Sequence, residues 1–300
     1  MSRPCRESSS RKGQGFAFAL GLCAVLASPP AAAAEPAREG IELRHDLRID
    51  IPATAVMATG LVLYTGLLRE KVVTATCRWC DGPRPDGIND FDRFFRDALA
   101  REDPQPAATM SHVVSYGFGP AALGVLAALT AEHEGQGKNI PLDLLLVAEA
   151  TLTALTVTDV IKGFSARERP GVHQIVDDQA HDAETRRAGA VLSFPSGHTL
   201  AVFAATSAAG TIATMRGYRL APLIWIVGSM LGVTAGYLRM AANQHYITDT
   251  LAGGGLGVLL GAGVPWLFHR PTGKPRWIDR ATLTTQPVPQ GRVLSLTIAF

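Results

Sequence analysis

Six apolar stretches alternate with polar segments along the chain. Ile51 to Leu68, Ser111 to Ala131, His198 to Met215 and Ala221 to Leu238 contain no Asp, Glu, Lys or Arg. Ile140 to Ile161 carries Asp143, Glu149 and Asp159, and Tyr246 to Phe268 carries only Asp249. Most approach the roughly 20 residues a helix needs to cross a bilayer. Glycine and alanine recur within them, above all in LAGGGLGVLLGAG at 251–263, a composition that lets membrane helices approach closely. The pattern predicts an all-α protein, a six-helix membrane bundle. Buried helices of a soluble protein are the alternative that the same pattern allows.

The intervening segments are read with less regularity. In the polar connector 69–110, Ile88, Phe91, Phe94, Phe95 and Leu99 recur at helical spacing among Arg93, Arg96 and Arg101. This predicts an amphipathic helix, lying either on a membrane surface or against the rest of the protein. A second polar connector spans 171–192. After Phe268 a polar tail, 269–300, ends in the alternating RVLSLTIAF, which is read as a segment that pairs locally, since one strand cannot close a barrel.

The first 34 residues have a different character. Arg3, Arg6, Arg11 and Lys12 precede an apolar core from Phe16 to Ala27 and a small-residue run ending at Ala34. That is the layout of a secretory signal peptide, with cleavage expected near Ala34–Glu35. The domain reading is therefore a leader at 1–34, the first span and its connector at 35–110, a core with five further spans at 111–268, and the tail. Cys5 and Cys23 fall in the leader, leaving Cys77 and Cys80, in CRWC, as a local disulfide or a thiol pair. A structural zinc site needs more ligands than that. With 28 basic against 26 acidic residues, and no basic run, nothing points to nucleic acid.

Three polar clusters sit at the ends of the apolar stretches: KGFSARERP (162–170), PSGH (195–198) and RMAANQHYITD (239–249). Each alone has an ordinary reading: cations as topology anchors, serine as a helix cap, histidines at an interface. Together they suggest an anion site. Lys162, Arg169 and Arg239 bring three cations, and arginine forks match phosphate oxygens. Ser196 and Gly197 fall where a helix N-terminus presents unpaired N–H groups. His245 and Asp249, four apart, share a face if helical, so that the carboxylate orients the imidazole. His198 stands beside that cradle.

Lys-x6-Arg-Pro, Pro-Ser-Gly-His and Arg-x5-His-x3-Asp, in that order, resemble the three-part signature of the type 2 phosphatidic acid phosphatases. Their superfamily also holds bacterial class A acid phosphatases and vanadium haloperoxidases, and the six-span plan resembles its membrane lipid phosphatase branch. The resemblance implies a phosphatase core that hydrolyses a phosphomonoester or pyrophosphate of a lipid through a phosphohistidine. His245 would be the nucleophile, Asp249 its partner and His198 the acid. Lys162, Arg169, Ser196, Gly197 and Arg239 would bind phosphate. It implies no metal or other cofactor, inhibition by vanadate, and a multi-pass protein of the bacterial inner membrane with a periplasmic site. A cleaved leader followed by six crossings would instead put the motifs inside, so the two expectations conflict. One position departs from the pattern: Leu238 stands where the family usually has Ser. Arg167 matches no motif position. A vanadium-dependent haloperoxidase, a soluble exported acid phosphatase and a non-catalytic membrane protein are the competing readings. Neither the lipid nor the oligomeric state is marked in the sequence.

Overall fold

The computed structural model describes residues 40–73, 76–79, 81–84, 87–273, 281–288 and 291–298. The expected leader and Cys80 lie outside them. The helices in chain order are α1 (Leu47–Val72), α2 (Asp90–Leu99), α3 (Gln105–His133), α4 (Ile140–Ser165), α5 (Asp178–Thr185), α6 (Gly197–Arg216), α7 (Ala221–Ala241) and α8 (Ile247–Phe268). All six apolar stretches are thus helical. Five of them, α1, α3, α4, α7 and α8, are long and apolar enough to cross a membrane. The chain is a multi-pass helical membrane protein.

The sixth, α6, departs from the expected uniform set of spans. It is not among the helices apolar enough to qualify, and 15 of its 20 residues are buried. It packs against α3, α4, α7 and α8. A helix apolar on every side belongs in an interior, and here the other helices provide it. Some of its hydroxyls bond locally, as Thr206 Oγ1 does to the Val202 carbonyl at 2.7 Å, while Ser207 Oγ is buried without a hydrogen-bond partner among the described residues. The α6–α8 contact is closest where α8 presents glycine every fourth residue. A Cβ at Gly253 would stand 2.4 Å from the Ser196 carbonyl oxygen, and one at Gly261 2.3 Å from that of Ala204. These glycines let the two backbones touch.

At one end of the bundle, short turns join α6 to α7, and a strap before α1 pairs with the residues after α8. The Arg44 N–H donates to the Arg270 carbonyl at 3.0 Å, and the Thr272 N–H to that of Glu42 at 2.9 Å. Leu43 in this strap is buried with Leu146 and Ile212. At the same end Asp143 of α4 accepts two hydrogen bonds from Arg216, at 3.0 and 2.6 Å, and one from the Tyr218 hydroxyl at 3.2 Å.

The connector helix α2 forms where helical spacing predicts it, with the Asn89 side chain capping the Asp92 N–H at 3.0 Å. Its polar side faces the protein: Asp92 is fully buried, and Arg96 donates to the Asn243 side chain at 3.2 Å. Phe91 and Phe94 are left exposed. The helix thus packs against the rest of the protein by its polar side, with the aromatic side turned outward. In the tail, β1 (Ala281–Val288) pairs antiparallel with β2 (Gly291–Ile298), so the closing alternation is one arm of a hairpin added to an otherwise helical fold.

Candidate active site

The three polar clusters meet at the other end of the bundle. Helix α4 ends at Ala166, whose left-handed backbone (φ 41°) turns the chain into Arg167, Glu168 and Arg169. The Arg167 carbonyl accepts from the Ser193 N–H at 3.0 Å, and the Arg169 N–H donates to the Ala190 carbonyl at 2.9 Å, which lays the first cluster alongside the approach to the second. The second is tied to the third by the Ser196 N–H, which donates to the Asp249 carbonyl at 2.9 Å.

Helix α6 begins at Gly197. Ser196 is its N-cap residue, but the expected capping bond is absent: its Oγ pairs with the Thr199 hydroxyl at 3.0 Å. The first turn therefore keeps its N–H groups uncapped by that side chain, at the positive end of the helix dipole. Lys162 lies over it, because a Cβ on Gly197 would stand 3.1 Å from Lys162 Nζ. Any larger residue at 197 would displace either the lysine or whatever the turn binds.

Arg169 and Arg239 converge on Gln244. Its Oε1 accepts from Arg169 at 2.5 Å and from Arg239 at 3.4 Å, while Arg169 Nε also donates to the Gly189 carbonyl at 2.6 Å. Arg239 is buried, donates to Ser111 Oγ at 3.2 Å, and keeps a buried Nε–H without a hydrogen-bond partner. Burial pushes the Arg169 guanidinium down to about 10, which leaves it charged at neutral pH. Among the described residues none of Lys162, Arg169 and Arg239 forms an ion pair. Three cations held together without an ion-pair partner, with Asp159 and Asp249 acting on them only from a distance, make a site for an anion.

His245 is buried beside them. Burial, and then the charges of Arg239, Arg169 and Lys162, hold its imidazole well below the ordinary value, against the opposing Ser193 carbonyl. It is therefore a neutral base at pH 7. The His245–Asp249 pair is not built as the spacing suggested. Helix α8 starts only at Ile247, so His245 precedes it, and Asp249 occupies the third helical position of a capping box in which its Oδ2 accepts from the Tyr246 N–H at 2.9 Å. His245 Nδ1 is 3.6 Å from Asp249 Oδ2, beyond hydrogen-bond length, and has no partner. Asp249 is instead held by Ser193 Oγ at 2.5 Å and Arg167 at 2.7 Å.

Arg167 is a residue that motif spacing passed over. It is fully buried, pairs with Asp92 and Asp249 at 2.7 Å each, and lies between the rings of Trp79 and Tyr246, 4.6 and 4.1 Å from their centroids. Asp92 in turn accepts from the Thr248 N–H at 3.0 Å, placing a carboxylate at the α8 N-terminus. His198 brings a second missed residue, His112, whose Nδ1 lies 3.0 Å from His198 Nε2, with the Tyr116 ring 4.7 Å away. Cys77 lies at this end, two residues before Trp79, and is disulfide-bonded. Along the outer side of α4, a groove of about 610 Å³ runs between α1 and α4, lined by Val56, Met57, Tyr64, Val160 and Phe164 and reaching Gly163 beside Lys162.

No curated protein matches the chain. Among solved structures it is similar to a transmembrane PAP2-type phosphatidylglycerolphosphate phosphatase from Bacillus subtilis, at 19 % identity over 70 % of this chain and 94 % of that one, with a TM-score of 0.42. A model of the PAP2 superfamily matches residues 143–272. Every residue that converges on this end from the three clusters, from Lys162 to Asp249, falls inside that match, so the segment that builds the site is the one similar to the PAP2 superfamily.

Proposed function

We infer that the protein is a membrane phosphatase hydrolysing a phosphomonoester or pyrophosphate of a lipid through a phosphohistidine. The observation that carries this is the convergence of three cations without ion-pair partners, an uncapped helix N-terminus and a buried neutral imidazole. In this reading Lys162, Arg169, Arg239, the Ser196 hydroxyl and the N–H groups that begin at Gly197 hold the phosphoryl oxygens as charge develops. His245 faces Asp249 with Nδ1, so its other nitrogen attacks phosphorus. Burial and the nearby Arg239 hold His198 neutral, so in this reading it takes up a proton with the incoming phosphate. The P–N bond then forms, the P–O bond to the lipid breaks, and His198 gives the leaving oxygen that proton. Water then attacks phosphorus, the P–N bond breaks, and His198 takes the water's proton. Asp249 stabilises the histidine's charge in between, and Arg167 holds Asp249 in place. The cations and the helix terminus supply the charge stabilisation, so the reading assigns no metal to the reaction and expects vanadate to inhibit.

The largely apolar groove between α1 and α4, whose lining extends to Gly163 and Phe164 at the end of α4, supports a lipid as the carrier of that phosphate, and the outward aromatic face of α2 suits a bilayer surface. Phosphate release should occur with a panel of phosphorylated lipids and be lost in His245→Ala. Release that persists in this variant, or from no lipid in the wild type, would refute the reading. The disulfide at Cys77 supports an oxidising compartment, and hence a periplasmic site, for this end. A single cysteine placed in the 171–192 connector should react with an impermeant maleimide in intact spheroplasts; labelling only after lysis would place the site inside.

A further inference from the structure

At the end of the bundle far from the phosphate cradle, three ionisable side chains from distant parts of the chain come together. They are Asp50 in the first turn of α1, Glu149 inside α4, and His269 just after α8. One ligand atom from each lies within 4.8 Å of the others. Asp50 and His269 are buried, 6 % and 3 % exposed, and Glu149 is nearly so.

The hydrogen bonding around His269 is one-sided. Its Nδ1 lies 3.0 Å from the Arg44 carbonyl, which makes Nδ1 the protonated nitrogen and turns the Nε2 lone pair towards Glu149. Nε2 and Glu149 Oε2 stand 3.4 Å apart, and neither buried atom has a hydrogen-bond partner. An imidazole fixed by a backbone carbonyl on one nitrogen, and bare on the other, is the arrangement found in metal-ligating histidines. The contrast with Asp143 on the same helix is direct. That carboxylate has Arg216 and Tyr218, whereas the paired carboxylates Asp50 and Glu149 face one imidazole.

We propose that Asp50, Glu149 and His269 bind a divalent transition cation of the Zn²⁺ type, with water in the remaining place. The donor set is one imidazole nitrogen and two carboxylate oxygens, which suits such an ion. Tetrahedral ligands at about 2.1 Å lie about 3.4 Å from one another. The Glu149–His269 separation already has that value, and Asp50 closes the set by a small side-chain movement. The ion would neutralise two carboxylates and add a direct tie between the start of α1, the middle of α4 and the end of α8. Helix α1 packs mainly on α4, with no buried residue along its apolar window, so its hold on the bundle is slight. A protonated His269 paired with Glu149 is the rival occupant.

The test uses the full chain in detergent, stripped of metal and then given ZnCl₂ alone. The wild type should take up one equivalent of Zn²⁺ more than Glu149→Gln or His269→Gln. At about 100 times Kd its Tm should rise by roughly 5–10 °C. Co²⁺ in its place should give the wild type the intense visible absorption of a tetrahedral N/O site, a readout that needs no variant to fold. Equal Zn²⁺ uptake by the wild type and both variants, no Tm shift, or only the weak spectrum of hydrated Co²⁺ would overturn the proposal in favour of the proton. Turnover takes no part in these readings, so failure of the phosphatase assignment leaves them unaffected.

Discussion

The two ends of this bundle hold buried charge of opposite sign, and the same helices supply both. Helix α4 brings Lys162 to one end and Glu149 towards the other; α8 begins beside Asp249 and ends beside His269, about 30 Å away at 1.5 Å per residue. At the first end three cations stand without ion-pair partners around a helix N-terminus. At the other, two carboxylates stand around one imidazole. Both leave charge uncompensated, which a chain selected for stability alone would avoid, because desolvated charge is costly. Between the two extremes lie Arg167 and Arg216, each buried and each matched by carboxylates. On the readings proposed above, compensated charge fixes the framework and uncompensated charge marks where a ligand binds.

The comparison is broken most sharply by treating two buried arginines alike. Arg167→Met strands Asp92 and Asp249, and should cost about 3–5 kcal/mol of stability. Arg239→Met removes an uncompensated cation, and should leave Tm unchanged or raise it while turnover falls roughly 10²–10³-fold. Thermal unfolding and initial rates on both variants decide this. Equal destabilisation would erase the distinction between framework and site.

A smaller effect is expected in the pH dependence of stability. His245 is held below its ordinary value by burial and by the three cations, so the unfolded chain binds a proton that the folded chain does not. Stability should therefore fall as pH drops through the unfolded imidazole value of about 6.5, and recover above it. His245→Gln should flatten that slope relative to the wild type. An unchanged slope would mean that His245 is not held neutral.

How much of this was legible in the sequence follows from how far apart the partners lie. Lys162, Arg169, Ser196, Gly197, Arg239 and His245 stand in three short clusters at the ends of apolar stretches, where a cation or a helix N-terminus is visible without knowing the fold. Arg167 stood in the same cluster and was passed over, because its partners Asp92 and Asp249 are 75 and 82 residues away. Gln244 and His112 read as ordinary polar residues until Arg169, Arg239 and His198 are placed beside them. The spacing of His245 and Asp249 brings the two side chains face to face at 3.6 Å, but across the cap of α8 and not along one helix face, because the helix starts only at Ile247. Apolar content located α6 without revealing that it is the enclosed helix, because burial by protein and burial by lipid select the same residues. The Asp50, Glu149 and His269 cluster spans most of the described chain, and no local pattern announces it.

The central claim is that His245 carries the phosphoryl group while the cations hold it. Rapid acid-free quenching of a single turnover with ³²P-labelled lipid phosphate tests it most directly. The account predicts protein-bound label that is labile to acid and stable to alkali, maps to His245, and is absent from His245→Ala. Product released within one turnover without such label on the wild type, or label on another residue, would contradict it.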